Sequence, residues 1–161
     1  TAGSGGWGND VGWAVSQGVG NETAMHTATS SALQVWLRSN PSSEILFYVF
    51  EYSTNTAAEG PQVTTLTQGT SYWVTVTKDD SVGPSGTLKA TVYSNATRTT
   101  YVASSTLALT GGIKSYRFLY GGASNSSAGD TYSFSGVVWN LDLGMEAGGV
   151  AKSTPQIIII E

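Results

Sequence analysis

A chain of 161 residues fits one domain and can bury roughly 70% of its unfolded surface without disulfides or metals. Only 11% of it is charged, the net charge is -4, and the seven Lys and Arg residues form no basic patch, which argues against a nucleic acid partner. Zero Cys excludes a disulfide scaffold and thiol chemistry, and no apolar run approaches the ~20 residues of a membrane-spanning helix, so no membrane insertion is expected.

The polar surface has to come from 21 Ser, 21 Thr and 20 Gly, while 40% hydrophobic content and the 5 Trp, 8 Tyr and 4 Phe supply a core. Strand formers dominate and helix formers such as Lys, Glu, Arg and Met are scarce, so the composition predicts an all-β fold. Residues 1–10 are expected to be a flexible Gly-rich leader, and a start at Thr1 rather than Met suits a processed or partial chain. "VGWAVSQGV" then sets Val11, Trp13 and Val15 on one side at period two. In "ALQVWLRS", Leu33, Val35 and Leu37 face one way and Gln34, Trp36 and Arg38 the other.

"EILFYVFEY" (44–52) is apolar on both faces and predicts a central strand. "AAEGP" predicts a turn, 61–66 a short strand and "TQGTS" another turn. "YWVTVTKDD" places Tyr72, Val74 and Val76 opposite Trp73, Thr75 and Thr77; "TLKATVYS" places Leu88, Ala90 and Val92 inward against Lys89, Thr91 and Tyr93. Further strands are predicted in "YVASSTLAL", "KSYRFLYG" and "YSFSGVVWNLDLG", with "GASNSSAGDT" as a loop. Nine to eleven short strands with turns every 8–12 residues predict a two-sheet antiparallel sandwich with little or no helix.

The stretch "GTSYWVTVTKDDSVGPSGTLKATVYSNATRTTYV", followed by "YRFLYGG" and "YSFSGVVWNLDLG", resembles the back half of a concanavalin A-like jelly roll. The laminin G-like modules of bacterial secreted and phage structural proteins are the nearest likeness, over residues 24–144. The resemblance implies a single jelly-roll domain over 11–152 and a segment 153–161 appended beyond its closing strand. Some relatives hydrolyse glycans with two carboxylates on one strand, but no such pair stands here: Glu44 and Glu51 are seven apart, and Asp142 and Glu146 straddle a Gly. The metal-binding relatives cluster acids with a histidine, and the lone His26 has no such cluster beside it.

Each constellation has a bland reading and a functional one. Asp79 and Asp80, with Asp130 in the "NSSAGD" loop, are candidate ligands for a structural calcium, although ordinary turn chemistry is the better explanation of the first two. No cofactor is otherwise expected and no catalytic residue is identified. Trp73, Tyr48, Tyr93 and Trp139 form a candidate aromatic platform for a sugar on a concave sheet, with Asn140 and Asp142 as hydrogen-bonding neighbours; the alternative is that these aromatics fill the core. Asn21, Asn95 and Asn125 lie in Asn-x-Ser/Thr sequons and are candidate glycosylation sites, close to the number expected by chance. Glu51, an acid inside an apolar strand, is a candidate for an intramolecular isopeptide bond.

"STPQIIIIE" ends the chain with Ile157, Ile158, Ile159 and Ile160, a segment that needs cover on both faces. It is expected to pair with the Trp13 strand of its own chain, to add to the edge of a neighbouring subunit, or to begin a linker to something downstream. Together these readings predict a non-enzymatic structural or adhesive subunit of an extracellular, cell-surface or virion assembly, partnered by copies of itself or other subunits. The alternatives are a carbohydrate-binding module or lectin, and a glycan-active enzyme whose site is unrecognised.

Overall fold

The structure is a computed structural model and describes residues 9–17, 31–39, 45–53, 56–67, 69–112, 115–116, 118–124, 136–139 and 156–160. These form eleven β-strands and no helix. Sheet A holds β1 (Asn9–Ser16), β2 (Ala32–Ser39), β3 (Ile45–Ser53), β4 (Thr56–Glu59), β5 (Val63–Leu66) and β9 (Phe118–Ser124), in the order β4-β3-β2-β1-β9, with β5 also paired to β3. Sheet B holds β6 (Tyr72–Asp79), β7 (Thr87–Tyr93), β8 (Tyr101–Ala108), β10 (Gly136–Trp139) and β11 (Gln156–Ile160), in the order β10-β11-β6-β7-β8. Every pairing is antiparallel. The chain is thus an all-β, two-sheet antiparallel sandwich.

The period-two pattern explains which face each strand buries. Leu33, Val35 and Leu37 from β2 and Phe47 and Val49 from β3 meet Tyr72 and Val74 from β6 and Leu88, Ala90 and Val92 from β7 in one core, joined by Val63, Leu66, Leu107 and Leu109. Polar contacts also tie the sheets, two of them made by β3. Val49 N donates to Ser105 Oγ at 3.2 Å, across the core from β3 to β8. Gly60 fits beneath this contact because it has no side chain: a Cβ there would lie 2.7 Å from Ser105 Oγ and 2.9 Å from Val49 Cγ2.

The second contact is Glu51, buried within β3. Its carboxylate accepts from Thr110 N at 2.7 Å, Thr110 Oγ1 at 3.0 Å and Gly111 N at 2.9 Å, fastening the segment that follows β8 to sheet A. An acid in an apolar strand is costly to bury unless its oxygens are filled, and here three donors fill them. Among the described residues, Lys78 pairs with Asp80 and Lys89 is exposed, so neither stands against Glu51 as an isopeptide partner.

Three expectations are corrected. "AAEGP" is not wholly a turn, because Thr56–Glu59 pairs with Phe50–Ser53, and the following strand begins only at Val63. The strand expected in "KSYRFLYG" runs from Phe118 to Ser124, into the stretch read as loop. Gln34 and Trp36 point away from the core, as the alternation predicts, and are themselves buried, with Trp36 Nε1 donating to Gln34 Oε1. At Gln34, Trp36 and Tyr48 the outer face of sheet A is therefore covered as well, and along β3 the Tyr48, Phe50 and Tyr52 rings line it, with centroids 6.4 and 4.5 Å apart.

The third correction concerns the isoleucines. β1, the Trp13 strand, already has β2 on one side and β9 on the other, so it has no free edge to offer. β11 instead lies between β10 and β6, with Ile158 opposite both Val138 and Val74. A strand inside a sheet has its backbone paired on both edges, which removes the free edge that an apolar segment would otherwise expose.

One turn makes a direct prediction. Gly86 precedes β7 with φ of 86°, and a Cβ there would lie 2.8 Å from Asp79 O. Its own carbonyl accepts from Leu109 N at 2.9 Å. Gly86→Ala is expected to lower stability by about 2 kcal/mol, read as a shift in the urea midpoint at unchanged slope.

Candidate functional site

Among the described residues, the outward face of sheet B gathers aromatic and hydroxyl side chains on adjacent strands. Because alternate residues of a strand face opposite ways, burying Val74, Leu88, Ala90 and Val92 turns Trp73, Thr75, Thr77, Lys89, Thr91 and Tyr93 outward. Register then sorts them into rows. Trp73 lies opposite Tyr93, which lies opposite Tyr101; Thr75 opposite Thr91, then Ser104; Thr77 opposite Lys89, then Thr106. Strands are about 4.8 Å apart, and same-face residues along a strand about 7 Å, so these nine side chains form a close grid.

The first row is aromatic, the second hydroxyl and the third hydroxyl with one amine. Trp73 and Tyr93 are half-buried, as neighbours on a sheet face should be, whereas Tyr101 is 61% exposed. Its phenol approaches Ser104 Oγ at 3.4 Å, which lays the ring along the same face. β11 and β10 extend the rows by register: Ile159 lies opposite Trp73, and Ile157 lies opposite both Thr75 and Trp139.

Within β6, β7 and β8 the one carboxylate is Asp79, at the hairpin end, and it is turned into its own turn. Ser81 donates to Asp79 Oδ1 through its amide at 2.9 Å and its hydroxyl at 2.6 Å. The Ser81 hydroxyl, then its amide, hold the Asp79 carboxyl below its ordinary range. Asp80 pairs with Lys78. Both acids are thus engaged locally, and among the described residues no group of three or more Asp, Glu, His or Cys is placed to hold a metal. Asp130, the third candidate ligand, lies outside the described residues.

Of the sequence-predicted platform, the structure unites Trp73 and Tyr93 and puts Trp139 on a strand of the same sheet. It removes Tyr48, which sits on β3 of the other sheet, 2% exposed, with the Arg38 guanidinium 5.7 Å from its ring centroid. Asn140 and Asp142 lie outside the described residues, as do His26, Asn21 and Asn125. Asn95 organises the β7–β8 loop: its Oδ1 accepts from Thr99 N at 3.0 Å and Thr100 N at 3.1 Å, and its Nδ2 donates to Thr97 Oγ1 and Thr99 Oγ1. A glycan on Nδ2 would displace one of those donors.

Tyr101 is the residue that sequence reasoning missed. The signal was present in "YSNATRTTY", where two tyrosines bracket a hairpin loop closed by Ser94 N donating to Thr100 O at 3.0 Å.

A second polar group closes one end of the core. Tyr116 packs against the core near Glu51, with Lys78 Nζ 5.9 Å from its ring centroid. Burial pushes the Tyr116 phenol well up, and the Glu51 and Asp80 carboxylates push it further. A phenol held neutral beside a hydrogen-bonded carboxylate suits a structural cap.

No family model, curated protein or solved structure matches the chain.

Proposed function

We propose that the chain is a non-enzymatic glycan-binding module of an extracellular, cell-surface or virion-surface protein, with the outward face of sheet B as its binding face. The single observation that carries this reading is the grid itself: an aromatic row, Trp73, Tyr93 and Tyr101, set directly beside a hydroxyl row, Thr75, Thr91 and Ser104. A pyranose has an apolar face that stacks on an aromatic ring and a rim of hydroxyls that exchange hydrogen bonds with neighbours of this kind. With Lys89 the one charged side chain within the grid, the face suits a neutral glycan better than an acidic one. The resemblance of residues 24–144 to concanavalin A-like modules leans the same way.

Recognition rather than reaction is the chemistry supported, because hydrolysis would ask for two carboxyl groups about 5–9 Å apart and the grid carries no such pair. A structural subunit of a surface assembly is the second reading, favoured by an unprotected sheet edge described below.

A panel of immobilised neutral polysaccharides tests the first reading. Tyr101→Ala should weaken binding about tenfold while leaving the unfolding midpoint unchanged, since the ring is largely exposed. No binding by the unaltered chain, or binding by both Tyr101→Ala and Trp73→Ala as strong as that of the unaltered chain, would remove it.

A further inference from the structure

β8 is the last strand of sheet B, paired to β7 on one side only. The hydrogen bond from Leu109 N to Gly86 O fixes the phase of that ladder, because backbone groups alternate sides along a strand. Residues 105 and 107 therefore turn their N–H and C=O groups to β7, and Ser104, Thr106 and Ala108 turn theirs away. Among the described residues those outward backbone groups have no hydrogen-bond partner.

Among the described residues two features touch this edge, the register shift at Val102 and Gly60, where an added Cβ would lie 3.3 Å from Thr106 C, and neither pairs with its outward backbone groups. Tyr101–Ala108 has eight residues, with no proline and no charged side chain; of the other edge strands, β4, β5 and β10 have four residues each, and β9 has seven, two of them glycine. We propose that β8 pairs antiparallel with β8 of a second copy of the chain, across a two-fold axis at Thr106, joining the two B sheets into one continuous sheet.

The register follows from the same alternation. Core-facing residues must oppose core-facing residues, so the axis passes through a residue and not between two. Placed at Thr106, it sets Ser104 against Ala108 of the second copy and satisfies all three outward-turned residues of each chain. Placed at Ser105, it would run the pairing into the stretch around Val102, where the β7–β8 register shifts.

A second copy fits this edge for two reasons. Each chain carries a net charge of -4, yet two β8 strands meet with no like charges opposed. Thr106 meets its own counterpart at the axis, a cross-strand pair that hydrogen-bonds, and one self-complementary patch is what a closed two-fold dimer needs. The pairing rests on the edge alone and does not depend on what the outward face binds.

Light scattering of the full chain over a concentration series tests it. The expected mass is twice the 16.8 kDa of one chain. Thr106→Lys opposes two ammonium groups at the axis, and Thr106→Pro removes an N–H that no strand of the same chain uses; each should halve the mass with the far-UV spectrum retained. If Thr106→Pro fails to fold, Thr106→Lys decides alone. A mass of one chain at every concentration, or a dimer that survives Thr106→Lys, overturns the proposal.

Discussion

Ile158→Pro is expected to cost about 3 kcal/mol or more and to broaden or abolish the cooperative unfolding of the chain. Ile158 stands in β11 between Val138 of β10 and Val74 of β6. Every N–H of a strand inside a sheet serves one of its two ladders, so a proline there must remove a hydrogen bond whichever way the residue points. The lost bond also leaves a carbonyl unpaired on a neighbouring strand. Urea denaturation followed by tryptophan fluorescence reads the loss. A midpoint equal to that of the unaltered chain would mean that the isoleucine segment is not part of sheet B. The same substitution at Thr106, on an edge, should leave the folded monomer nearly as stable, and the contrast separates a position effect from a general intolerance of proline.

Glu51→Ala is the second large effect. The carboxylate fills its oxygens with three donors from Thr110 and Gly111, and truncation leaves those donors without it and opens a void between the sheets. Thr110 is exposed and water can replace part of what is lost, which keeps the expected cost to about 3 kcal/mol and not the full sum of three charged hydrogen bonds. For a chain of this size that is a fall of roughly 10 °C in the thermal midpoint. Glu51→Gln keeps the shape and one accepting oxygen but presents the amide NH2, itself a donor, to a second donor, so it should lose about half as much. Equal midpoints for Glu51→Ala and the unaltered chain would show that the segment after β8 is held by something other than this carboxylate.

The strands that could be read from the sequence are those whose faces differ. In β6 and β7 the alternation of Val74, Ala90 and Val92 with Thr75, Thr91 and Tyr93 specifies both the strand and its buried side. β3 was legible as central because its apolar residues stand on both faces, and the structure gives it neighbours on both sides. β4 was hidden because Thr56–Glu59 has two alanines and a glutamate, residues with little strand preference of their own; the edge of β3 recruits them.

Which strand the isoleucines join could not be read at all. β11 is separated from β6 by most of the second half of the chain, and nothing in four identical side chains marks a register. The candidate site failed in the sequence for a related reason. Trp73 and Tyr93 are neighbours only through one hairpin register, and Tyr101 joins them only through a second. Tyr48 was misassigned because a strand with two apolar faces gives no sign of which face is open, and in sheet A neither is open at Tyr48.

The sandwich thus presents one outward face in which aromatic and hydroxyl side chains are sorted into rows, and binding is predicted to occur there. The direct measurement is a nuclear magnetic resonance titration of the isotope-labelled chain with a linear hexaose of neutral β-linked glucose and, separately, of mannose. Amide shifts are expected to gather on residues 73–77, 89–93 and 101–106, with the Trp73 indole among the largest, and Tyr101→Ala to suppress them. Shifts that gather on β2 and β3 of sheet A, or none with either sugar at saturating concentration, would contradict binding at this face.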